Sequence, residues 1–484
     1  MSPTWPRHHR PSWLWILALF ATTRATAHFA GVHFDDSNLP WTWQFIDPAL
    51  LHTQLAESLL YLHSQPPLFN LYLGTVLKLA GTGAASTFVF AATFRLLTLA
   101  AWLAGYHLLA AAGLPRWGAV VATSLYFTGS TALLYESWLF YTWPTAALLV
   151  LAAAALTAYL ARPGAGRGAL FFALLATVCL TRSSFHLAWF VAVAGLLLVA
   201  RPRLRRLTLR AALIPLLLVV GLYAKNLALF GTFSASSWMW TSLYKMNYYT
   251  LLDPANQSLL DDGTLSPLAP VKAWAGPREY ADVLGPSPPT GVPVLDDYTK
   301  STGEPNMNHL IFLEALPLRR HDTLALARAR PGNLAGVVAA STFHFARPPS
   351  DYFTIHQRAA RLGPWRRTWE AVAYGTWSAP AAGDRPAPSD RGSPLLVAAL
   401  AISLAAGLAV AWRRRGRWTD SDVVFLFIAG TLGYATVISV FLEVVENHRF
   451  RVMLEPLLAL AVAMLVARAA AAWRQRREAR EATA

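Results

Sequence analysis

The sequence predicts an all-α polytopic membrane protein of about ten transmembrane helices with a small external subdomain. Of its 484 residues, 55% are hydrophobic and only 14% are charged, whereas a soluble domain carries roughly 25% charged residues. Apolar runs of about 18 residues or more recur along the chain, as membrane-spanning helices require. Many of the 19 tryptophans lie near the ends of these runs, which is typical of anchoring at the membrane–water interface.

Arginine clusters between the apolar runs set the predicted orientation. We expect spanning helices at residues 12–31, 87–111, 116–133, 138–160, 168–182, 185–200, 210–229, 394–411, 422–443 and 452–472. The basic clusters are Arg7/Arg10, Arg116, Arg162/Arg167, Arg201–Arg210, Arg413–Arg417 and Arg474–Arg477. With these spans every cluster falls on the side of the N-terminus, which the positive-inside rule makes cytoplasmic. The net charge of +15 therefore reflects topology and does not indicate a nucleic-acid partner.

The apolar stretch at residues 66–82 decides on which side of the membrane the later basic clusters fall. If it crossed the membrane, the basic runs at 201–210 and 413–417 would lie outside. The stretch is short and begins with Pro66-Pro67. We therefore expect an interfacial or re-entrant helix on the outer face, so that residues 32–86 lie outside together.

Residues 1–30 allow two interpretations. They have a basic start, an apolar core and Ala25-Thr26-Ala27, which is similar to a signal-peptide cleavage site. We favour an uncleaved first helix and keep a cleaved signal peptide as the alternative; both leave Asp35 outside. The single cysteine, Cys179, excludes an internal disulfide and any multi-cysteine metal site.

Three regions follow from this pattern. An N-terminal transmembrane module covers residues 1–229, with its first external loop at 32–86. Residues 230–393 are rich in Pro, Gly, Ser and Asp, so we expect an external subdomain of short helices that ends in a linker, Pro380–Ser393. Residues 394–484 form C-terminal transmembrane helices with a basic cytoplasmic tail. The predicted location is the cell membrane, in a multi-pass arrangement.

The predicted topology collects the unusual polar residues on the extracytoplasmic face. Charged groups held at a membrane boundary are expensive and are candidates for function. The candidates are Asp35, Asp36, His63, Glu136, Arg182, His186, Lys225, Glu446 and Arg449. Carboxylates and cations thus meet at one membrane surface without a soluble catalytic domain.

Structural alternatives exist for these candidates. Asp35 or Asp36 can cap a following helix, and Glu136 can form a structural pair with an arginine. Arg182 and His186 are four residues apart and can be interface anchors.

The loop before the last span holds two arginines with different expected roles. Arg451 and Glu455 are spaced i, i+4 and are predicted to form a structural pair. Glu446 and Arg449 share one helix face, whereas Arg449 and Arg451 point to opposite sides, so only one of them readily faces a common cavity. We prefer Arg449 for that position; its alternative is snorkelling to lipid headgroups.

These residues resemble motifs of the GT-C class of integral-membrane glycosyltransferases, in particular the family 39-like branch of protein O-mannosyltransferases and lipid A aminoarabinose transferases. Asp35-Asp36 matches the acidic residue or pair of that family's first external loop, and Glu136 matches its second acidic residue, in place of a more usual Asp. His63-Ser64-Gln65-Pro66-Pro67 loosely matches a His-Pro-Pro or Lys-Pro-Pro element, interrupted by Ser64-Gln65. Asn447-His448-Arg449-Phe450-Arg451 is similar to the stretch before the final span, which often carries an arginine.

The resemblance implies an inverting glycosyltransferase that takes its sugar from a polyprenyl-phosphate donor at the outer leaflet. The implied catalytic residues are Asp35, Asp36 and Glu136. The implied ligands of the donor phosphate are Arg449 and Lys225, and the implied substrate contacts are His63 and Asn306, the last because Asn306-Met307-Asn308-His309 is similar to bacterial members of the family. From their predicted position on the outer face we add Arg182 to the phosphate ligands and His186 and Glu446 to the substrate contacts.

The chemistry of such a transfer agrees with these residue types. A base must take the acceptor proton, which a positioned carboxylate does, and a cation must hold the departing phosphate, for which arginine offers a fixed fork of donors. The lipid tail needs an apolar groove that opens into the bilayer. No metal is assigned, although Asp35, Asp36 and Glu136 together leave a divalent cation open.

Two other function classes stay open at this stage. A transporter or flippase for a lipid-linked sugar is expected to place ionisable groups near the middle of the membrane in matched halves, and the sequence shows no such halves. A non-catalytic membrane assembly factor stays open because Ser64-Gln65 interrupts the His-Pro-Pro element. The sugar and the acceptor, whether glycan, lipid or protein, are not fixed by the sequence.

Overall fold

A computed structural model describes residues 12–251, 257–376, 392–413 and 416–482. The N-terminal region forms α1 (Trp13–Phe29), α2 (Pro48–Thr53), α3 (Leu55–Leu60), α4 (Leu68–Ala80), α5 (Ala84–Ala111), α6 (Arg116–Phe127), α7 (Ser130–Glu136), α8 (Thr142–Ala161), α9 (Ala165–Thr181), α10 (Leu187–Ala200) and α11 (Arg205–Phe230). The middle region forms α12 (Met239–Leu251), α13 (Ser258–Asp261), α14 (Pro277–Leu284), α15 (Pro293–Asp296), α16 (Ile311–Glu314), α17 (Leu316–Ala329), α18 (Pro331–Phe345), α19 (His356–Arg361) and α20 (Gly363–Tyr374). The C-terminal region forms α21 (Pro394–Arg413), α22 (Asp420–Leu442), α23 (Asn447–Val452) and α24 (Glu455–Glu481).

The all-helical prediction is confirmed for the described residues, where the β-structure consists of two isolated bridges. Six helices in this part of the chain are long and apolar enough to cross a membrane, by length and composition: Ala84–Ala111, Thr142–Ala161, Pro202–Phe230, Pro394–Arg413, Asp420–Leu442 and Glu455–Glu481. Each coincides with one of the predicted spans. A multi-pass membrane protein is therefore supported, whereas the prediction of ten spans is not confirmed.

The four remaining predicted spans correspond to shorter helices. α1 and α9 have 17 residues each, and α10 has 14, whereas a perpendicular crossing needs about 20. The run predicted as one span at 116–133 is divided into α6, with 12 residues, and α7, with seven. Apolar composition alone did not reveal that these runs end early or break.

The break between α6 and α7 has a packing cause. Gly129 lies at the junction, and a Cβ atom placed on it would lie 2.4 Å from the Trp369 ring. The indole of Trp369, on α20, thus packs directly on the backbone where α6 ends. Only glycine fits at position 129 with the ring at this distance. α7, which follows, packs against α19 and α20 of the middle region.

α8 lies at the centre of the helix bundle. It packs against α5, α9, α22 and α24, and its buried residues include Trp143, Val150 and Leu156. A helix that is apolar on every side is expected at the core of a bundle. Its central place fixes the ends of the neighbouring helices around it.

The arginine-rich ends of the helices lie together. Arg201, directly after α10, is 2.5 Å from Asp420 at the start of α22, and Arg468 of α24 is 3.0 Å from Asp422. α8 ends just before Arg162. Ion pairs therefore join α10 and α24 to the start of α22, and the opposite ends of α10 and α22 line the cavity described below.

The helix over the stretch 66–82 is short. α4 has 13 residues, which corresponds to about 20 Å, against about 30 Å of hydrocarbon. It packs against α2 and α5. Its interfacial placement stays a prediction, and most of the predicted linker, 380–391, lies outside the described residues.

The middle region has hydrophobic clusters of its own. One contains Trp238, Tyr280 and Phe312, and another contains Tyr244 and Leu326. α12 contacts α17 and α18 within the region and α22 of the membrane bundle. The middle region is thus attached to the bundle at the same end as the site, while its position outside the membrane stays a prediction.

Candidate functional site

A cavity of about 940 Å³ lies at the helix ends opposite the arginine clusters. Its wall includes Tyr141 before α8, Arg182 after α9, Leu187 at the start of α10 and Leu442 at the end of α22. The volume is that of a site for a sizeable organic ligand. Three kinds of lining occur: a charged group, an aromatic wall and an apolar strip.

Arg449 is the most deeply buried cation of the charged group. The residue is 2% exposed, and its Nη2 donates to Glu446 Oε2 at 2.5 Å. Its Nε and Nη1 have no hydrogen-bond partner among the described residues. Its guanidinium carbon lies 4.7 Å from the centre of the Phe140 ring and 5.1 Å from that of Phe450. Donors left unpaired in a buried position call for a partner that completes them.

Arg182 lies against the same aromatic ring as Arg449. Its guanidinium carbon is 4.2 Å from the centre of the Phe450 ring, its Nη1 donates to the Tyr141 hydroxyl, and its Nε donates to Ser184 Oγ at 3.3 Å. These aromatic contacts and hydrogen bonds hold the side chain in one orientation. Two arginines therefore border one part of the cavity.

Glu443 and Lys245 form a second ion pair in the cavity wall. Lys245 Nζ donates to Glu443 Oε1 at 2.5 Å, and Glu443 lies just beyond the end of α22. Burial raises the pKa of the Glu443 carboxyl, against the opposing charge of Lys245. At Glu446 burial acts in the same direction, but the nearby Arg449 and Lys245 charges prevail and lower the pKa of that carboxyl.

Tryptophans form the aromatic wall on the side of the first external loop and the middle region. Trp43 and Trp274 have ring centres 6.2 Å apart, and those of Trp238 and Trp274 are 4.7 Å apart. Trp41 also lines the cavity and is 37% exposed. Indole faces are broad apolar surfaces with a polar edge, and such surfaces suit the C–H faces of a sugar ring.

An apolar strip joins the cavity to the membrane helices. Its lining comes from α10 and α22 and includes Leu187, Val191, Ile438 and Leu442. Val191 is half exposed, at 52%. A lipid chain can lie on such a strip while its polar head lies beside the arginines.

Four of the predicted site residues line the cavity: Arg182, His186, Glu446 and Arg449. Burial lowers the pKa of His186, whose ring packs edge-on against Tyr434. The prediction that Arg451 pairs with Glu455 is confirmed, at 3.0 Å, and this pair lies outside the cavity lining. Of the two loop arginines, Arg449 is the one that lines the cavity, in agreement with the preference stated above.

Asp35 and Asp36 lie near the cavity but do not line it. Asp35 Oδ1 accepts from the backbone N–H and hydroxyl of Ser37, and its Oδ2 is 3.5 Å from Arg358. Asp36 Oδ2 accepts from the Thr87 hydroxyl at 2.6 Å. Both carboxylates are thus occupied by local partners, and their catalytic role stays a prediction.

Glu136 forms the structural pair with an arginine that was given above as the alternative to a catalytic role. Its Oε2 is 2.6 Å from Arg24 Nη2, and both side chains are buried. Arg24 also donates to the Phe127 carbonyl at 2.9 Å. This pair ties α1 to the break between α6 and α7, away from the cavity lining.

His63 and Asn306 contribute to a junction between the first external loop and the middle region. His63 Nδ1 lies 2.8 Å from Ser237 Oγ, and Asn308 Oδ1 accepts from the backbone N–H of His63 at 2.9 Å. Asn306 donates to the Asp297 carbonyl and accepts from the Asn308 N–H. Complete burial lowers the pKa of His63 to about 3. These residues hold two segments together and do not line the cavity.

Lys225, predicted as a phosphate ligand, is also outside the cavity lining. Its ammonium donates to the Leu62 carbonyl at 2.5 Å.

Asp35, Asp36 and Glu136, the three carboxylates considered as ligands of a divalent cation, have separate partners. The described residues contain no group of three or more His, Cys, Asp or Glu side chains that could hold a metal.

Sequence reasoning missed Glu443, Lys245 and the tryptophan wall. Glu443 was included in the predicted span 422–443 and was treated as part of an apolar run. A carboxylate at the last position of a predicted span, three residues before Glu446, was a usable signal. Lys245 and Trp274 belong to the middle region, for which no pattern in the sequence predicted which side chains meet the membrane bundle.

No protein-family model and no curated protein matches this chain. Among solved structures, the chain is similar to the archaeal oligosaccharyltransferase AglB from Archaeoglobus fulgidus in complex with an inhibitory peptide and a dolichol-phosphate. The identity is 12% and the TM-score is 0.39, over 97% of this chain and 52% of that chain. The chain thus spans about half the length of that protein, and at this TM-score the likeness assigns neither fold nor function.

Proposed function

We propose that this protein is a membrane glycosyltransferase that transfers a sugar from a polyprenyl-phosphate donor to an acceptor, with inversion, on the extracytoplasmic face. The observation that carries the proposal is one cavity in which two arginines, an aromatic wall and an apolar strip between α10 and α22 lie together. A donor of this class has a phosphate, a sugar and a lipid chain, and each part has a counterpart in that lining.

The phosphate is assigned to Arg182 and Arg449. Arginine presents planar donors that match phosphate oxygens in pairs, and Arg449 retains two nitrogens without partners in the described chain. Aromatic contacts hold both guanidinium groups in place before the donor arrives. Such preorganisation lowers the cost of binding, because the side chains lose little freedom.

The sugar and lipid are assigned by the chemistry of the remaining wall. The lipid chain lies on the strip of α10 and α22, whose exposed Val191 marks where the cavity meets the bilayer side of the bundle. The sugar extends towards the tryptophans Trp43, Trp238 and Trp274. The bond between the sugar and the phosphate, which breaks in the transfer, then lies between the arginines and the aromatic wall. Carboxylates that line the cavity are within reach of it.

Binding of polyprenyl phosphate to the detergent-solubilised protein, measured by native mass spectrometry, tests the donor site. We expect Arg449→Lys to weaken binding about tenfold and Arg449→Ala by up to about a hundredfold, because hydrogen bonds to charged groups contribute about 1.5–3 kcal/mol. Lysine keeps the charge but loses the paired donors.

Two controls make this measurement specific. Polyprenol of the same chain length lacks the phosphate and is expected to bind equally weakly to the wild type and both variants. Arg358→Lys alters a buried arginine that pairs with Asp35 outside the cavity lining, and it should leave binding unchanged. Equal affinity for polyprenyl phosphate in wild type and Arg449→Ala would contradict the assignment of the donor phosphate.

A further inference from the structure

We propose that Glu443 is the general base that takes the proton from the acceptor hydroxyl, with Lys245 as its positioning partner. This assignment rests on the proposed function. It places the proton transfer at the end of α22, on a residue outside the acidic pair of the first external loop.

The cavity lining contains three carboxylates, and their surroundings differ. Glu304 belongs to a turn whose Lys300 donates to the Thr42 carbonyl, which places it beside the first external loop. Glu446 is held by Arg449, the cation assigned to the donor phosphate. Glu443 is held by Lys245, and the charges of Arg182 and Arg449 act on it from nearby. It is therefore the carboxylate that is close to the scissile bond and not committed to a phosphate ligand.

The position of Glu443 is fixed by the chain on both sides of it. It follows the last residue of α22, and its carbonyl accepts from the Asn447 side chain at 2.7 Å. Lys245 reaches it from α12, a helix that packs on α22. A base held by two elements in this way is oriented before the acceptor binds.

The charges around Glu443 suit proton transfer. Lys245 faces it from α12, Glu446 and Arg449 face it from the loop and α23, and Arg182 faces it from the turn after α9. Burial raises the pKa of Glu443, whereas the pKa of Glu446 is lowered. When the pKa values of two neighbouring carboxylates differ in this way, the two residues can take different roles: Glu443 accepts the proton, and Glu446 stays charged.

The transfer step then balances as a single displacement. The acceptor oxygen forms a bond to the anomeric carbon while the bond from that carbon to the phosphate oxygen breaks. The electron pair of the broken bond leaves with the phosphate, beside Arg182 and Arg449. The acceptor proton moves to the Glu443 carboxylate and later to water. The products are the glycosylated acceptor and free polyprenyl phosphate.

Loss of turnover with retained donor binding tests this assignment. The donor source is the lipid extract of a deletion strain, and the acceptor source is membranes of the same strain. Transfer is followed as consumption of the lipid-linked sugar by mass spectrometry. We expect Glu443→Gln to lower turnover at least a hundredfold, since a positioned base contributes about 10²–10⁴, while polyprenyl phosphate binding changes less than twofold.

The matched control is a carboxylate that has no part in the site. Glu57→Gln alters an exposed residue of α3 outside the cavity lining. Its turnover is expected to stay within about threefold of the wild type, below the roughly tenfold effect that a change of 1.4 kcal/mol gives. Asp35→Asn and Asp36→Asn test the rival base that the sequence predicts. Near-normal turnover in Glu443→Gln, or a hundredfold loss in Asp35→Asn or Asp36→Asn with retained donor binding and normal thermal stability, would overturn the assignment of the base.

A pH profile separates a base from a merely structural residue. Turnover is expected to rise with pH as Glu443 loses its proton. Lys245→Met removes a cation that favours the ionised carboxylate, so the acid limb should move to higher pH. Lys245→Arg keeps the charge and should leave the limb in place. An unchanged limb in Lys245→Met would contradict the role of the pair.

The failure of this inference is distinguishable from failure of the proposed function. If the wild type binds polyprenyl phosphate and transfers sugar but Glu443→Gln transfers normally, the function stands and the base is wrong. If the wild type shows no preference for polyprenyl phosphate over polyprenol and consumes no lipid-linked sugar, both are wrong. Binding without consumption contradicts both and favours a transporter of the same lipid.

Discussion

The buried arginines of this protein differ in how many of their guanidinium donors have a hydrogen-bond or ion-pair partner. Arg24 and Arg451 each meet a carboxylate and a backbone carbonyl, so their charge and most of their donors are used within the fold. Arg449 meets Glu446 but leaves two nitrogens without partners in the described chain. Arg451 also leaves its Nη2 without a partner in the described chain, but it lies outside the cavity lining, whereas Arg449 borders the cavity. An unpaired donor indicates a ligand site where it lies beside a cavity.

The Arg24–Glu136 pair gives a prediction about stability. Replacing Glu136→Leu leaves the Arg24 charge buried without its carboxylate, which is expected to cost about 3–5 kcal/mol. The double replacement Arg24→Met with Glu136→Leu removes both charges and is expected to recover most of the loss, because apolar side chains of similar volume replace buried pairs at little cost. Thermal unfolding in detergent measures both effects.

Glu136 was also predicted to be catalytic, and the same variants separate the two roles. The double variant should bind polyprenyl phosphate and transfer sugar as the wild type does, because the pair lies outside the cavity lining. A stable double variant without transfer activity would instead support the catalytic role of Glu136.

At the scale of elements, the junction of α6 and α7 shows how one contact interrupts an apolar run. The hydrophobic pattern continues from 116 to 133, but the Trp369 ring occupies the space beside Gly129. The chain ends one helix and begins another there. α7 then carries Glu136 to Arg24.

Gly129→Ala is predicted to destabilise the protein. The added methyl group would overlap the Trp369 ring, and overpacking of this kind costs typically about 1–3 kcal/mol. Gly118→Ala is the matched control within α6, where the nearest atom, Pro115 Cδ, would be 3.6 Å from the new Cβ. Alanine there should be neutral or stabilising, since it favours the helix over glycine by up to about 1 kcal/mol. A lower melting temperature for Gly118→Ala than for Gly129→Ala would contradict this account.

At the scale of the whole molecule, helix ends of two kinds occupy opposite sides of the bundle. Ion pairs such as Arg201–Asp420 join one set of ends, and the cavity lies at the other. If the arginine-rich ends are cytoplasmic, the cavity opens at the extracytoplasmic face, where lipid-linked sugars are presented. The proposed location of the reaction therefore depends on the orientation of the protein in the membrane.

Cysteine labelling on intact cells is predicted to show this topology. Thr82→Cys, in the exposed turn after α4, should react with a membrane-impermeant maleimide. Arg205→Cys, exposed at the start of α11, should react only after permeabilisation. The wild type is the control, because its Cys179 is buried. Labelling of Arg205→Cys in intact cells would overturn the orientation.

One sequence was enough to predict the class of structure, and it also predicts the side of the membrane on which the polar residues lie. Apolar length and the arginine clusters predict a helical multi-pass protein, because every backbone group in a bilayer must be satisfied within helices or closed barrels. The spacing of Arg451 and Glu455 also predicted their pair, and the opposite directions of Arg449 and Arg451 predicted that only one of them faces a common cavity. These features depend on local geometry and composition, which one sequence displays.

The tertiary structure decided which polar residues meet. Asp35 and Glu443 are both carboxylates at the end of an apolar segment, but Asp35 turns to Arg358, while Glu443 meets Lys245 at the cavity. That pairing depends on how α12 packs against α22. Such contacts join residues far apart in the chain, and no local pattern specifies them, because packing selects among many compatible partners only when the whole bundle has formed.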